Sequence, residues 1–176
     1  NPTGLTFDGD QLQALAEVAR KYQVVVVSDE IYGEVHHDGT HISMARYYPE
    51  GTIVSAGLSK WCGAGGWRLG TFFFPPQMRW LLDAMATAAS ETYTSVCAPI
   101  QHASVRAFEG GPEIDAYLHA SRTVLKALGN WCAQRLRTVG ATVDDPQGAF
   151  YLFPEFEDIR PRLEARGVRT AEALCN

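Results

Sequence analysis

Four consecutive valines at residues 24–27 constrain the fold of this chain more than any other feature of its sequence. An uninterrupted run of β-branched residues is typical of a strand buried on both faces, as in parallel sheets covered by helices. Residues 8–22, which precede the run, carry apolar side chains at helical offsets, with Thr6 and Asp8 as candidate caps. The pattern therefore predicts an α/β fold with a mostly parallel sheet and helices on both of its faces.

The rest of the chain continues this alternation of short strands and helices. Residues 52–55 and 69–74 predict two more strands, and the second stops at a pair of prolines. Helical spacing predicts helices at residues 77–90, 100–108 and 113–139. The segment between the two later strands would form a loop that the sheet holds rigid.

Charge and hydropathy exclude some classes of function. The net charge is −5, from 15 basic and 20 acidic residues, and the chain has no basic block that would indicate a nucleic-acid surface. No apolar run approaches the roughly 20 residues that a membrane-spanning helix requires. We therefore expect neither a nucleic-acid nor a membrane partner.

The cysteines and histidines do not form a recognisable metal or disulfide pattern. The four cysteines are far apart and none occurs in a Cys-x-x-Cys motif, so we expect a reducing, cytoplasmic location and no metal site. His36 and His37 precede Asp38 and Gly39, which predicts an exposed turn.

Lys60 is the strongest candidate for a catalytic residue. Its segment is rich in glycine, which lets the backbone approach a ligand closely, and Trp61 and Trp67 make the segment more apolar than an ordinary exposed loop. A lysine amine reacts with a carbonyl group once it is neutral or held as an imine. Eight residues later, Arg68 offers a forked cation suited to phosphate. An amine beside a phosphate-binding group suits pyridoxal 5'-phosphate, although an isolated lysine is most often a solvated surface charge.

Asp29 and Tyr32 form a second candidate cluster after the valine strand. Asp29 falls at the carboxyl end of that strand, where open α/β sheets bind ligands. A buried carboxylate there could keep a pyridine nitrogen protonated, and the Tyr32 hydroxyl could donate to a ring oxygen. The alternative is structural, with Asp29 and Glu30 capping a turn and Tyr32 packing against its neighbours.

These elements occur together, in an order that resembles a known enzyme family. The chain opens with the turn sequence Asn-Pro-Thr-Gly, followed by an Asp-to-Tyr spacing of three and a Lys-to-Arg spacing of eight. This set, which spans residues 1–70, resembles the fold-type I pyridoxal-phosphate enzymes, specifically the class I and II aminotransferases.

The resemblance implies a role for each residue near the cofactor ring. Asn1 and Tyr32 would hydrogen-bond the phenolic oxygen, and Asp29 would pair with the pyridinium nitrogen. Lys60 would form the Schiff base, or internal aldimine, with the aldehyde.

The resemblance also implies a phosphate site. Arg68 would bind the phosphate, and Ser59 is a further candidate. Many relatives have a serine or threonine three residues before the lysine, where this chain has Gly57.

The same resemblance implies how the chain is organised. Residues 1–111 would be part of the large cofactor-binding domain, 112–139 a linking helix, and 140–176 the start of a small α+β domain. Residues 146–153 would form a glycine-led strand near the substrate entrance. We expect the chain to be a fragment with little or no activity alone, lacking an N-terminal part and a C-terminal arginine.

The resemblance also implies a homodimer, in which the loop at residues 90–99 would reach the active site of the neighbouring subunit. Thr92, Thr94 and Ser95 are therefore possible contributors in trans. Residues 90–96 contain no arginine, which disfavours one subtype of dicarboxylate specialist.

The resulting prediction is an aminotransferase that moves an amino group between an amino acid and a 2-oxo acid through a Schiff base on Lys60. A C–S lyase or cyclase on the same fold is an alternative, because fold does not determine reaction. A second alternative is the aminotransferase-like effector domain of a transcription regulator, which would require a DNA-binding segment upstream.

Overall fold

A computed structural model describes residues 1–175, and its first element is the predicted helix, α1 (Gly9–Lys21). Its N-terminus is a capping box. The Asp8 carboxylate accepts from the Gln11 amide at 2.8 Å, while the Gln11 side chain accepts from the Asp8 amide at 3.0 Å. The apolar face of α1 is buried in a cluster that also contains Met44 and Tyr48.

Three strands form one mixed sheet in the order β1 (Val26–Asp29), β2 (Thr52–Gly57) and β3 (Gly70–Phe73). The β1–β2 pairing is parallel, while the β2–β3 pairing is antiparallel. The predicted α/β fold is confirmed, with equal numbers of parallel and antiparallel pairings in the described sheet. The twelve residues between β2 and β3 contain no α-helix, so the chain turns back beside β2 instead of crossing over.

The prediction that the valine strand is buried on both faces is wrong for the described chain. The strand begins at Val26, two residues later than predicted, and Val27 is 61% exposed. Val26 packs against the α1 cluster, whereas no element within residues 1–175 covers the face that carries Val27. Side chains alternate between the two faces of a strand, so helix α1 covers only one set.

Helices make up most of the remaining chain. They are α2 (Arg79–Ser90), α3 (Ala98–Glu109), α4 (Pro112–Thr138), α5 (Arg160–Glu164) and α6 (Ala171–Cys175). The three longer helices confirm the helices predicted from periodicity. Leu118 of α4 packs in a second core cluster with Val35, Leu58, Trp61 and Leu69. The division of the chain into two domains stays a prediction.

The segment at residues 146–153 is not the predicted strand. Within residues 1–175, its β-type backbone pairing is limited to a single bridge between His36 and Gly148, beside isolated backbone hydrogen bonds. Ala149 adopts left-handed backbone angles, with φ of 56°, which interrupts an extended conformation.

His37 is buried, and the predicted exposed turn is therefore wrong at this residue. One of its ring nitrogens lies 3.0 Å from the carbonyl oxygen of Pro146, and the other lies 3.0 Å from that of Ala149. Carbonyl groups from a distant part of the chain thus surround a residue whose local sequence predicts a turn.

Candidate active site

Lys60 lies on the turn after β2, and buried neighbours on both sides attach this turn to the core. Leu58 and Trp61 belong to the buried cluster with Leu118, while the Lys60 side chain between them is exposed. The Trp61 ring meets the Phe108 ring edge-on, with 6.3 Å between the ring centroids. The buried neighbours fix the backbone and leave the lysine amine free to face a ligand.

The Lys60 amine has an aromatic environment. Its nitrogen lies 5.6 Å from the centroid of the Tyr32 ring and 5.7 Å from that of the Phe150 ring. Both distances are within the range of a cation–π contact. Within residues 1–175 the amine has no hydrogen-bond acceptor and no ion-pair partner. The structure therefore brings together two predicted site residues, Tyr32 from the segment after β1 and Lys60 from the turn after β2.

Tyr32 is held by a second phenol that the sequence did not point to. Its hydroxyl oxygen lies 2.5 Å from that of Tyr151, and the two rings meet edge-on at 5.5 Å. Burial raises the pKa of Tyr32 to about 12, and the hydrogen bond to Tyr151 contributes in the same direction. The Tyr32 hydroxyl therefore keeps its proton at neutral pH and remains a donor.

Asp29 ends β1, as predicted, and shares a cavity of about 580 Å³ with Asn1 and Tyr32. One carboxylate oxygen accepts from the Ile31 amide at 3.3 Å. The expectation of a buried acid is wrong for this chain, because Asp29 is exposed. The described residues leave its side chain open to solvent.

The two predicted phosphate ligands, like Lys60 itself, are not among the residues that line this cavity. Arg68 is exposed, has left-handed backbone angles, and donates to the Gly65 carbonyl oxygen at 2.6 Å. Ser59 is half-buried. The structure thus places both on the lysine loop and does not bring them to Asn1 and Asp29.

Glu30, which the sequence predicts only as a turn cap, supports the end of β1 beside the candidate site. One of its carboxylate oxygens accepts from the Ser43 hydroxyl at 2.7 Å, and the other lies 2.8 Å from Nε2 of His41. Burial by itself would raise the pKa of Glu30, but the hydrogen bonds from His41 and Ser43 lower it below its ordinary value. Glu30 therefore attaches the loop at residues 41–44 to the end of β1, next to Asp29.

Phe150 and Tyr151 were also missed as site residues. The glycine-led segment that contains them predicts a strand, which is not what the structure shows. The available signal was the pair of adjacent aromatic residues, one of which carries a hydroxyl. Only the folded chain shows that the two rings reach Lys60 and Tyr32.

Among residues 1–175, no three His, Cys, Asp or Glu side chains are grouped closely enough to hold a metal ion. No helix in that range combines the length and the apolar character needed to cross a membrane.

Comparison with known proteins shows the family of this chain. The sequence model described as "Aminotransferase class I and II" matches residues 1–175. The chain belongs to the class I and II aminotransferase family. The membership predicted from the motifs of residues 1–70 is thereby confirmed.

Curated relatives of the chain are aminotransferases. It is 31% identical over 174 residues to the aspartate/prephenate aminotransferase of Thermus thermophilus, which covers 99% of this chain and 43% of the relative. It is 35% identical over 159 residues to a probable N-acetyl-LL-diaminopimelate aminotransferase of Bacillus subtilis. That match covers 89% of this chain and 38% of the relative. The chain thus spans less than half the length of these relatives.

Solved structures agree with the sequence comparison. The aspartate aminotransferase of Thermus thermophilus with maleate matches with a TM-score of 0.84 and 30% identity, over 94% of this chain and 44% of that one. An alanine aminotransferase from Pyrococcus furiosus matches with a TM-score of 0.78 and 30% identity, over the same shares of the two chains. These matches confirm the predicted fold, a part of the fold-type I aminotransferase architecture.

Proposed function

We propose that this chain forms part of a pyridoxal 5'-phosphate-dependent aminotransferase, which moves an amino group between an amino acid and a 2-oxo acid. One observation carries the proposal: the amine of Lys60 lies 5.6 Å from the ring of Tyr32, and Tyr32 shares a cavity with Asn1 and Asp29. A primary amine, a phenol, an amide and a carboxylate are the groups needed to hold the aldehyde, phenolic oxygen and ring nitrogen of this cofactor.

Each residue then has a defined task. Lys60 would hold the aldehyde carbon, and Asn1 and Tyr32 would donate to the phenolic oxygen. Asp29 would keep the ring nitrogen protonated. When bound, the cofactor supplies an aldehyde that condenses with amines and a ring that withdraws electrons from the substrate. Once released, the Lys60 nitrogen would accept the proton from the substrate α-carbon and deliver it to the former aldehyde carbon of the cofactor, which is the proton shift that amino transfer requires.

The phosphate would be bound by Arg68 and Ser59 on the lysine loop. Arg68 uses one guanidinium nitrogen on the Gly65 carbonyl, and a guanidinium has five N–H donors, so the others are available for an anion. This part of the proposal requires the Arg68 side chain to turn toward the cavity.

The wider proposal includes a homodimer in a reducing, cytoplasmic setting. The four cysteines are free, which supports that setting. Thr92, Thr94 and Ser95 lie in an exposed loop after α2, which is compatible with contacts to a second subunit. Residues 1–111 would form part of the large domain, 112–139 would link the domains, and 140–176 would begin the small one.

The relatives reported above all carry aminotransferase names, which favours transfer over lyase, cyclase or regulatory functions.

The proposal is tested by trapping the lysine. The complete gene product that contains these residues is incubated with pyridoxal phosphate, reduced with borohydride and digested for peptide mapping. We expect the phosphopyridoxyl label on Lys60, its loss in Lys60→Ala, and its retention in the matched control Lys21→Ala. Labelling at another residue, or no labelling, would contradict the proposal.

Activity is then measured with a panel of amino acids and 2-oxo acids, by following the new amino acid and the new oxo acid as products. The 176-residue chain is assayed in parallel and is expected to show little or no turnover. Release of ammonia or sulfide without a new amino acid would indicate a lyase instead of an aminotransferase.

A further inference from the structure

Tyr151 makes the shortest contact at the candidate active site, although it lies 119 positions from its partner in the sequence. The hydroxyl oxygens of Tyr32 and Tyr151 are 2.5 Å apart, at the short end of the range for O–H···O hydrogen bonds. Their rings are nearly perpendicular, with an interplanar angle of 81°. The contact therefore consists of one hydroxyl–hydroxyl bond and one edge-to-face ring contact.

Tyr151 is held in place by the backbone around it. The Ala149 amide donates to the Val35 carbonyl oxygen at 3.0 Å, and the Gln147 amide donates to the Gly4 carbonyl oxygen at 2.8 Å. A ring nitrogen of His37 lies 3.0 Å from the Ala149 carbonyl oxygen. Two of these bonds join the segment before Tyr151 to Val35 and His37, which follow Tyr32, and the third joins it to Gly4 in the N-terminal turn, so the two hydroxyls are placed together by the fold.

We propose that Tyr151 is a positioning residue, whose hydroxyl holds the Tyr32 oxygen in place and donates to it whenever Tyr32 donates to a ligand oxygen. The inference rests on the proposed function for the identity of that ligand, the cofactor's phenolic oxygen. Each hydroxyl has one proton to donate and can accept, so the bond between them can run in either direction.

The direction of the bond determines how strong a donor Tyr32 is. In the absence of a ligand, Tyr32 can donate to Tyr151. When a ligand oxygen is bound, the Tyr32 hydroxyl donates its proton to the ligand. The Tyr151 hydroxyl then donates to the hydroxyl oxygen of Tyr32. Hydrogen bonds in such a chain polarise one another, so Tyr151 would make Tyr32 a stronger donor to an anionic ring oxygen.

The first experiment needs no cofactor. The chain is labelled with tyrosine carrying ¹³C at Cζ, and ionisation of each phenol is followed by NMR as the pH rises, with Tyr32→Phe used for assignment. In the wild type we expect two coupled steps for the pair, the second near the raised value of Tyr32. In Tyr151→Phe, Tyr32 should lose its proton in a single step, at a pH below that of the second wild-type step. The control Tyr22→Phe removes an exposed hydroxyl and should change nothing.

An unchanged titration of Tyr32 in Tyr151→Phe would overturn the inference. If that variant does not fold, the wild type decides the matter, since independent single-step titrations of the two phenols would show that their hydroxyls do not interact.

The second experiment uses the complete gene product with pyridoxal phosphate, and follows the absorbance of the bound cofactor against pH. Loss of the Tyr151 donor should raise the pH midpoint of that absorbance change and weaken cofactor binding, whereas Tyr22→Phe should do neither. An unchanged midpoint in Tyr151→Phe would overturn the role toward the ligand. If the wild type binds no cofactor, the proposed function fails together with that role, and the first experiment still decides whether the two phenols are coupled.

Discussion

Gly57 and Gly70 face each other across β2 and β3, at the point where the chain leaves the sheet for the Lys60 turn. A β-carbon on Gly57 would lie 2.7 Å from the Leu69 carbonyl oxygen and 3.1 Å from the Gly70 Cα. The resemblance to aminotransferases implied that many relatives have a serine or threonine at this position. In this chain the close approach of the backbone leaves no room for a side chain.

The substitution Gly57→Ser should therefore destabilise the chain. Overpacking of this kind costs about 1–3 kcal/mol, because strand β3 must shift away from β2. Urea unfolding followed by circular dichroism measures the change. The control Gly66→Ser lies on the same loop, where an added β-carbon meets no atom within 4 Å, and should be close to neutral.

Trp61 and Trp67 both lie on the lysine loop, between Ser59 and Arg68, but should respond differently to truncation. Trp61 is buried and packs in the core cluster, whereas Trp67 is 63% exposed. We expect Trp61→Ala to reduce the free energy of unfolding by about 3–5 kcal/mol. Trp67→Ala should stay within about 0.5 kcal/mol of the wild type. Equal losses in the two variants, measured by urea unfolding, would contradict the assignment of Trp61 as the anchor of the loop.

Glu30 should make stability depend on pH in the acid range. Its pKa in the folded chain is lower than the ordinary value of 4.5, so the unfolded chain binds more protons between the two values. Its contribution is therefore fully present above pH 4.5 and is lost as the pH falls through the folded pKa. Glu30→Gln should flatten this part of the stability profile.

The measurement is urea unfolding at a series of pH values from neutral downward. The exposed Glu172→Gln serves as the matched control and should keep the wild-type profile. A Glu30→Gln profile as steep as that of the wild type would show that the contacts with His41 and Ser43 do not stabilise the carboxylate.

His37 should stabilise the segment that carries Phe150 and Tyr151. His37→Leu removes both ring nitrogens from the carbonyl oxygens of Pro146 and Ala149, which lie 3.0 Å away. A buried acceptor left without a donor costs about 1–3 kcal/mol. Hydrogen exchange at residues 146–151 should accelerate in this variant but not in the control His102→Leu on the exposed face of α3. Unchanged exchange would mean that other contacts hold the segment.

Local sequence patterns predicted a helix or strand well where the residues of that element carry the whole pattern. Helices α1 and α4 follow from apolar residues at helical spacing, and Asp8 was correctly named as a candidate cap. The strand at Val26 was predicted with its start two residues too early, because neighbouring valines do not mark which of them pairs with β2.

Predictions from the sequence were wrong or missing for residues whose contacts are with distant parts of the chain. The two histidines beside Asp38 suggested an exposed turn, yet His37 is buried by carbonyl groups more than a hundred positions away. Tyr151 and Glu30 were missed for the same reason, because the local sequence does not show which groups the fold brings against them.

The sequence by itself determined the family, the α/β fold and the order of the candidate residues from Asn1 to Arg68, because these depend on residue types and short spacings along the chain. Only the tertiary structure decided that Lys60 faces the rings of Tyr32 and Phe150, and that a second phenol holds Tyr32. It also decided that Arg68 lies outside the cavity that contains Asp29. The physical reason is that hydrogen bonds and ring contacts require proximity in space, and here they join residues that only the packing of the whole chain brings together.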